Sequence, residues 1–339
     1  MSIDDAFDEL AASLVGFYRT WVVYLGLELG LLERIRAAGQ AGMEVASLAE
    51  AAGCSLPAVR AWANAAHASE VIDLDGSTAR IADDVASVLL DEQTPEYLGG
   101  QFIYSVIASM DHAALATAMR SGQPMAERPP RYHRAIERLT RQDIAVFFEE
   151  ALGFLPDVVP DLMRGGDILD LHCGGGRWLV AMAKRFPATR LVGVESEPDS
   201  VARALRNADA AGLADRIRIE AREVEAIGYD RAFDLVYFQH ALHQLADRPA
   251  ALAAAYRALR PGGRLLALSW CLPSDLDAYR TAHGELIAGI ALDELFQGSP
   301  LQTREETVAA FLAAGIPAPE AIELPSDATL FHLRRPAAA

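Results

Sequence analysis

Lysine is almost missing from this chain. Lys184 is the only one in 339 residues, and the other basic residues are scattered arginines. Acidic side chains outnumber basic ones 47 to 30, for a formal net charge of −17. Phosphate backbones and anionic lipid surfaces are bound by clustered positive charge, so neither nucleic acid nor membrane is an expected partner. Cysteine is scarce as well. Cys54, Cys173 and Cys271 lie far apart without CxxC spacing, which gives no disulfide framework and no zinc knuckle and suits a reducing, cytoplasmic setting. The first residues, MSIDDAFDEL, are acidic where a secretory signal would be basic. Apolar stretches read as shorter than a bilayer span or as interrupted by charge.

What the chain has in quantity is apolar surface to bury: 52% of its residues are hydrophobic, with glycine and proline at ordinary levels. Its length favours two domains. Residues 1–38 keep apolar positions at helical spacing, with Gly39 as the stop. The run MEVASLAEAAGCSLPAVRAWANAAHASEVIDLD then reads as helix–turn–helix, one helix ending near Gly53 and the next starting at Ser55 and Pro57. A short wing follows at Asp73–Ile81. Residues 1–90 hold 5 Arg and no Lys against 13 Asp and Glu, and the second helix offers only Arg60 to read a base. The expected use of this winged-helix fold is therefore packing and dimerisation. Further helix is expected through residues 95–122, then a break at SGQPMAERPPRYH, then one helix from about Tyr132 to Leu155. These signals place an all-α winged-helix domain at 1–130 and a second domain at 131–339.

From Gly166 onward strands and helices alternate. DILDLH, RLVGVE, RIRIEA, FDLVYF and GRLLALSW are short strand-like runs, separated by helical stretches. That order predicts a Rossmann-like, doubly wound α/β domain with a mostly parallel seven-stranded sheet. The tail, EAIELPSDATLFHLRR, predicts an antiparallel hairpin at the sheet edge. In such sheets a ligand binds beyond the carboxyl ends of the strands, at the switch point of the topology. The first strand-to-helix turn is ILDLHCGGGRW, where Gly174 and Gly176 let backbone approach a ligand and Gly175 is permissive. A nicotinamide fingerprint would need a small residue at 179, and Leu179 stands there. Glu195 ends the second strand and can take both hydroxyls of a ribose.

In combination, ILDLHCGGG, VGVESEPDSVARA and FDLVYFQHALHQLADRPAALAAAYRALRPGGRLLAL make residues 167–335 resemble the class I S-adenosylmethionine-dependent methyltransferases. The winged-helix half resembles the helical half of bacterial small-molecule methyltransferases, similar in layout to plant-type O-methyltransferases. The resemblance implies S-adenosyl-L-methionine as cofactor, a homodimer, and a helical domain that roofs the site. It implies that Asp170 and the turn from His172 through Gly174 to Gly176 hold the methionine end of the cofactor. Glu195 would accept the ribose hydroxyls, and Gln239 would face the cofactor after the fourth strand. The acid that usually holds the adenine is replaced by Arg222, so either Glu223, one step on, substitutes for it or backbone groups hold the adenine. His172 stands where the family has its first glycine.

Methyl transfer to oxygen is helped by a general base. His240 and His243 lie just after the fourth strand, and if helical they share one face. Tyr18, Tyr104, His133 and His283 are candidates for contacting substrate, along with His112 and Tyr132. A metal held by His240, His243 and His283 is a sharper alternative without a carboxylate at telling spacing, and none is expected. Phe147, Phe148 and Phe154 read as core. The expected activity is O-methylation of a small aromatic or polyketide-like molecule. The alternatives are C- or N-methylation, a cofactor-binding regulator or scaffold that does not methylate, and a winged-helix transcription factor.

Overall fold

The computed structural model describes residues 2–125 and 128–337. Two compact units result, Met1–Ala114 with Arg128–Ala145 and Leu115–Glu127 with Val146–Ala339. The boundary expected at 130/131 falls inside the second segment of the first unit.

In the first unit, α1 (Ile3–Glu28) starts on a capping box between Ser2 and Asp5. The single helix expected over 1–38 is broken at Gly30, whose φ of 63° is left-handed, and resumes as α2 (Leu31–Ala37). Only the C-terminal part of α1 is buried, at Val23, Tyr24, Gly26 and Leu27. Gly26 permits this close approach, since a Cβ there would lie 2.9 Å from Leu32 and from Trp62. The indole of Trp62 donates to the Val22 carbonyl at 2.9 Å. The rest of α1 is apolar and bare: Ile3, Phe7, Leu10, Leu14 and Phe17 are 52–86% exposed. Contrary to the sequence reading, this helix is by itself, among the described residues, long and apolar enough to cross a bilayer, with mean hydropathy 1.3.

The winged helix forms as expected. Strand β1 (Met43–Glu44) leads into α3 (Val45–Ala51), and α4 (Leu56–Ala68) follows with Ser55 at its N-cap. The wing is β2 (Asp73–Asp75) and β3 (Thr78–Arg80), paired antiparallel. Then come α5 (Asp83–Leu90) and α6 (Gly99–Ser109), the latter packed on α8 (Pro130–Leu139). The intervening α7 (Leu115–Ser121) belongs to the second unit. The helix expected over 132–155 is not continuous. It breaks after α8 into α9 (Arg141–Ala145), a π-helical turn at Val146–Glu150 and a 3-10 turn at Ala151–Phe154. The wider turn lets Phe147 enter the core of the second unit while Phe154 stays 49% exposed, so Phe154 is not core.

In the second unit these turns lead into α10 (Val158–Arg164), then β4 (Gly166–Leu171), α11 (Arg177–Arg185), β5 (Thr189–Glu195), α12 (Pro198–Ala210) and β6 (Ile217–Ala221). After them come β7 (Phe233–Gln239), α13 (Arg248–Ala258), β8 (Leu259–Ser269), α14 (Ala282–Phe296), α15 (Arg304–Ala313), β9 (Glu320–Glu323) and β10 (Thr329–Arg334). The seven-stranded sheet runs β6-β5-β4-β7-β8-β10-β9. Strands β4 to β8 are parallel, and β10 is antiparallel to both β8 and β9, as the hairpin predicts. The central strands are covered on both faces and so are apolar without alternation, down to complete burial of Ile168, Leu169 and Leu171. Winding reverses between β4 and β7, which puts the switch point at their carboxyl ends.

Candidate functional site

The turn after β4 is built from left-handed residues: His172 has φ 62°, Gly174 φ 53° and Gly176 φ 67°. The Cys173 N–H is held by Val194 at 3.0 Å and the Gly176 N–H by Cys173 at 2.9 Å, which pins the loop to β5. The two glycines work differently. A Cβ on Gly174 would meet nothing within 4 Å, so this backbone borders open space that a ligand can enter. A Cβ on Gly176 would lie 3.1 Å from Ala204, so that glycine admits α12. Beneath the loop, Gly193 is a third required glycine. A Cβ there would lie 2.6 Å from Leu179 and 2.7 Å from the Cys173 sulfur. Gly176 caps α11 without any side-chain bond, leaving the N–H groups of its first turn toward the loop.

Two acids border this turn. Asp170 is 2% exposed, and its Oδ1 has no hydrogen-bond partner. Burial pushes its carboxyl well above the usual carboxylate range, and the nearby Glu195 pushes it further. Glu195 is equally buried but well supplied. Its Oε1 accepts the Ser196 and Glu197 N–H groups at 2.9 Å each, and its Oε2 accepts Gly174 N–H at 2.9 Å. His172 brings Nδ1 to 3.4 Å from the same Oε2. The Cys173 thiol is held well above its ordinary pKa by burial and by the two acids, so it stays protonated and inert. On the neighbouring strand Tyr237 pairs in register with Asp170. Trp178, from α11, stacks on Tyr237 with ring centroids 4.3 Å apart, and Phe147 closes the cluster at 5.0 and 5.2 Å.

Beyond β7 the two histidines do not share a helix face, because the chain is not α-helical there. His240 is left-handed at φ 47°, and its Nδ1 accepts the Trp270 N–H at 3.3 Å. His243 lies in the 3-10 turn Leu242–Gln244, with Nε2 3.6 Å from Glu294 Oε2 on α14. Both side chains are nearly buried, at 12% and 10% exposure. Glu294 was not among the residues singled out from sequence. Its signal was an acid pair, Asp293 and Glu294, in the otherwise apolar run IAGIALDELF; both prove buried. A buried acid beside an imidazole fixes the orientation of the ring.

Other candidates stand apart. Gln239 ends β7 beside Leu268, on the same face as Tyr237. Glu223 is exposed at the start of the 3-10 turn Val224–Ala226. Arg222 donates its N–H to the Glu195 carbonyl at 3.0 Å and turns its side chain to Glu220 at 3.3 Å. His283 pairs with Asp327 at 3.4 Å in the first turn of α14, about 16 Å along the helix from Glu294. It therefore does not converge with His243, and among the described residues no three His, Cys, Asp or Glu form a metal-binding group. Tyr18, Tyr104 and His133 belong to the first unit. Tyr18 is exposed on α1, Tyr104 packs on Tyr132 at 5.9 Å between centroids, and His133 is half-buried on α8. An open groove of about 730 Å³ lies at the amino ends of the strands, away from this turn. Its arginines are already engaged, Arg190 with Asp167, Arg218 with Glu220, and Arg216 with the carbonyls of Ala183, Phe186 and Thr189.

Residues 168–263, from β4 into β8, match the methyltransferase domain family. The whole fold is the class I methyltransferase fold with a helical N-terminal region. Human N-acetylserotonin methyltransferase, solved in complex with SAM, superposes with TM-score 0.71 over 99% of both chains at 17% identity. The mitomycin 7-O-methyltransferase MmcR superposes with TM-score 0.70 over 98% of both chains at 19% identity. Among curated proteins, the 27-O-demethylrifamycin SV methyltransferase of Amycolatopsis mediterranei (strain S699) is 32% identical over 163 residues. That match takes in 45% of this chain and spans 60% of the relative's length.

Proposed function

We propose that this chain is an S-adenosyl-L-methionine-dependent methyltransferase that O-methylates a small aromatic or polyketide-like molecule. One observation carries the cofactor reading: the buried, unpartnered Asp170 carboxylate beside a glycine whose Cβ position is open. An orphaned buried acid is costly, and a cationic ligand with N–H donors removes that cost. Gly174 leaves room for such a ligand, and Glu195 on β5 has the acceptor chemistry to take ribose hydroxyls. When bound, the cofactor supplies an electrophilic methyl group on sulfur.

For the acceptor, His243 is the better base of the two histidines. Glu294 orients its imidazole and stabilises the charge the ring gains on taking a hydroxyl proton. His240 already uses Nδ1 to accept the Trp270 N–H, so that lone pair is engaged in the fold. The remaining work is placing acceptor oxygen and methyl donor in line. Related enzymes favour the same reading: the rifamycin relative and the mitomycin enzyme are both named as acting on oxygen of small molecules.

The protein works as a cytoplasmic homodimer. Ile3, Phe7, Leu10, Leu14 and Phe17 recur at spacings of four and three, a heptad seam that a second copy of α1 can cover. The test of the activity is methyl transfer from S-adenosyl-[methyl-³H]methionine to a panel of phenols and hydroxylated polyketides. Label in an acid-stable ether with wild type, lost in His243→Ala, is the expected result. Label on carbon or nitrogen, or full turnover by His243→Ala, contradicts the O-methylation mechanism.

A further inference from the structure

Glycine loses more backbone freedom on ordering than any other residue, so Gly174, Gly175 and Gly176 form a turn that does not set its own shape. Such a turn receives a ligand well only if its surroundings fix it beforehand. The strand layer supplies part of that restraint, through the Cys173 N–H on the Val194 carbonyl and the Gly174 N–H on Glu195. The middle glycine is held from elsewhere. Asn207, on α12, donates its side-chain amide to the Gly175 carbonyl at 2.8 Å. The Gly175 carbonyl and the Gly176 N–H belong to one planar peptide, and that N–H is bonded to the Cys173 carbonyl at 2.9 Å. Both ends of the plane are therefore fixed, one of them by a side chain 32 residues further along the chain.

Helix formation does not ask for asparagine here. Its side chain competes for backbone bonds and makes it a weak residue inside a helix, yet Asn207 lies within α12 rather than at its end. Its face of α12 is the one that meets the turn. Ala204, one helical turn earlier, is the residue that a Cβ on Gly176 would approach at 3.1 Å. The missing Cβ of Gly176 lets α12 come close, and the amide of Asn207 uses that closeness to hold the peptide. Without the amide, nothing in a glycine pair opposes rotation of this peptide by contact with a Cβ. The neighbouring Gly174 borders open space, so the shape of the turn is the shape a ligand meets.

We infer that Asn207 is a positioning residue for the cofactor: it holds the Gly175–Gly176 peptide in the form that receives the methionine end of S-adenosylmethionine, and it adds nothing at the ribose and base. The inference rests on the cofactor reading above. Asp170, the unpartnered acid that suits the ammonium group of the ligand, lies on the strand that runs into this turn. Glu195, which suits the ribose, lies on the next strand. Loosening the turn therefore weakens one end of the ligand and spares the other.

The test is titration calorimetry of the full chain with S-adenosylhomocysteine and with methylthioadenosine, for wild type, Asn207→Ala and Asn207→Asp. Methylthioadenosine keeps the thioether, ribose and adenine but lacks the amino and carboxyl groups, so it reads the site without the methionine end. Its weaker binding is measured by displacement. Alanine removes the amide and is the best helix former, which keeps α12 intact. Aspartate keeps the size but, when ionised, offers no donor to the carbonyl. Both variants should bind S-adenosylhomocysteine about three- to tenfold more weakly, the usual effect of losing one hydrogen bond, and methylthioadenosine within about twofold of wild type. In the ligand-free variants, amide hydrogen exchange should quicken over residues 172–176 and stay unchanged in α12. Unchanged S-adenosylhomocysteine affinity, or an equal loss for both ligands, overturns the positioning role and leaves the cofactor reading standing. A wild type that binds neither ligand overturns the cofactor reading, and this inference with it.

Discussion

Asp170→Asn is the substitution in which stability and function are set against each other. In the folded chain the carboxyl is buried, lacks a partner at Oδ1 and faces Glu195, and its pKa is raised. A carboxyl whose folded pKa lies above its unfolded value of about 3.9 binds protons more tightly in the native state. Its contribution is therefore favourable below that pH and is lost as pH rises through the raised folded value. At neutral pH burial of this group opposes folding, because the unfolded chain carries it ionised in water. Asparagine keeps the size and removes the charge, so the ligand-free variant should be more stable than wild type at pH 7 by about 1–2 kcal/mol, the usual gain on relieving a functional site. Each 1 kcal/mol moves the melting midpoint by about 2–4 °C in a unit of this size. The gain should shrink towards zero near pH 4, where the wild-type carboxyl is protonated. Calorimetric melting at the two pH values measures it. Added S-adenosylhomocysteine should stabilise wild type by about 2.7 kcal/mol at one hundred times its Kd, and should do far less for the variant. An Asp170→Asn protein that melts lower than wild type at pH 7, or gains equally at both pH values, refutes the electrostatic reading of this residue.

Three further outcomes are expected. His243→Ala should lower kcat by about 10²–10⁴-fold with cofactor affinity unchanged, and Glu294→Gln should lower it less; steady-state kinetics beside calorimetry separates the two effects. Gly193→Val should destabilise the second unit by about 1–3 kcal/mol, because its Cβ collides with Leu179, Cys173 and Ile219; urea unfolding would show otherwise if the core can shift. Leu10→Glu with Leu14→Glu should yield a monomer in light scattering while the winged helix stays folded by circular dichroism, and a persistent dimer would remove α1 as its seam.

The strands were legible because burial on both faces leaves its mark in composition. ILDL, LVGVE and DLVYF are runs with little alternation, and they became β4, β5 and β7. Gly39 and Gly53 marked helix ends through backbone freedom, and both are left-handed; Ser55 takes the N-cap position of α4 without a side-chain cap bond. Positions that depend on tertiary packing were hidden. The helix expected over 132–155 breaks because Phe147 is drawn into the aromatic cluster with Trp178 and Tyr237, a pull that no local periodicity records. Within the site, Asp170, Glu195 and the glycine turn lie together because a strand end and its turn are one local motif. Glu294 reaches His243 from a helix some fifty residues further along, and an acid pair in an apolar helix was its only trace. The left-handed φ of His240 separated it from His243, where spacing alone had suggested a shared face. The turn of Arg222 toward Glu220 depends on a side chain two residues earlier in the chain, which spacing alone did not indicate.

The central claim is that the turn between β4 and α11 holds S-adenosylmethionine. Titration calorimetry of the purified chain at pH 7 tests it most directly, with S-adenosylmethionine and S-adenosylhomocysteine in separate runs and Asp170→Asn alongside. Saturable one-site binding of both ligands to the wild type, sharply weakened in the variant, is the predicted result. No heat from either ligand, or undiminished affinity in Asp170→Asn, contradicts it.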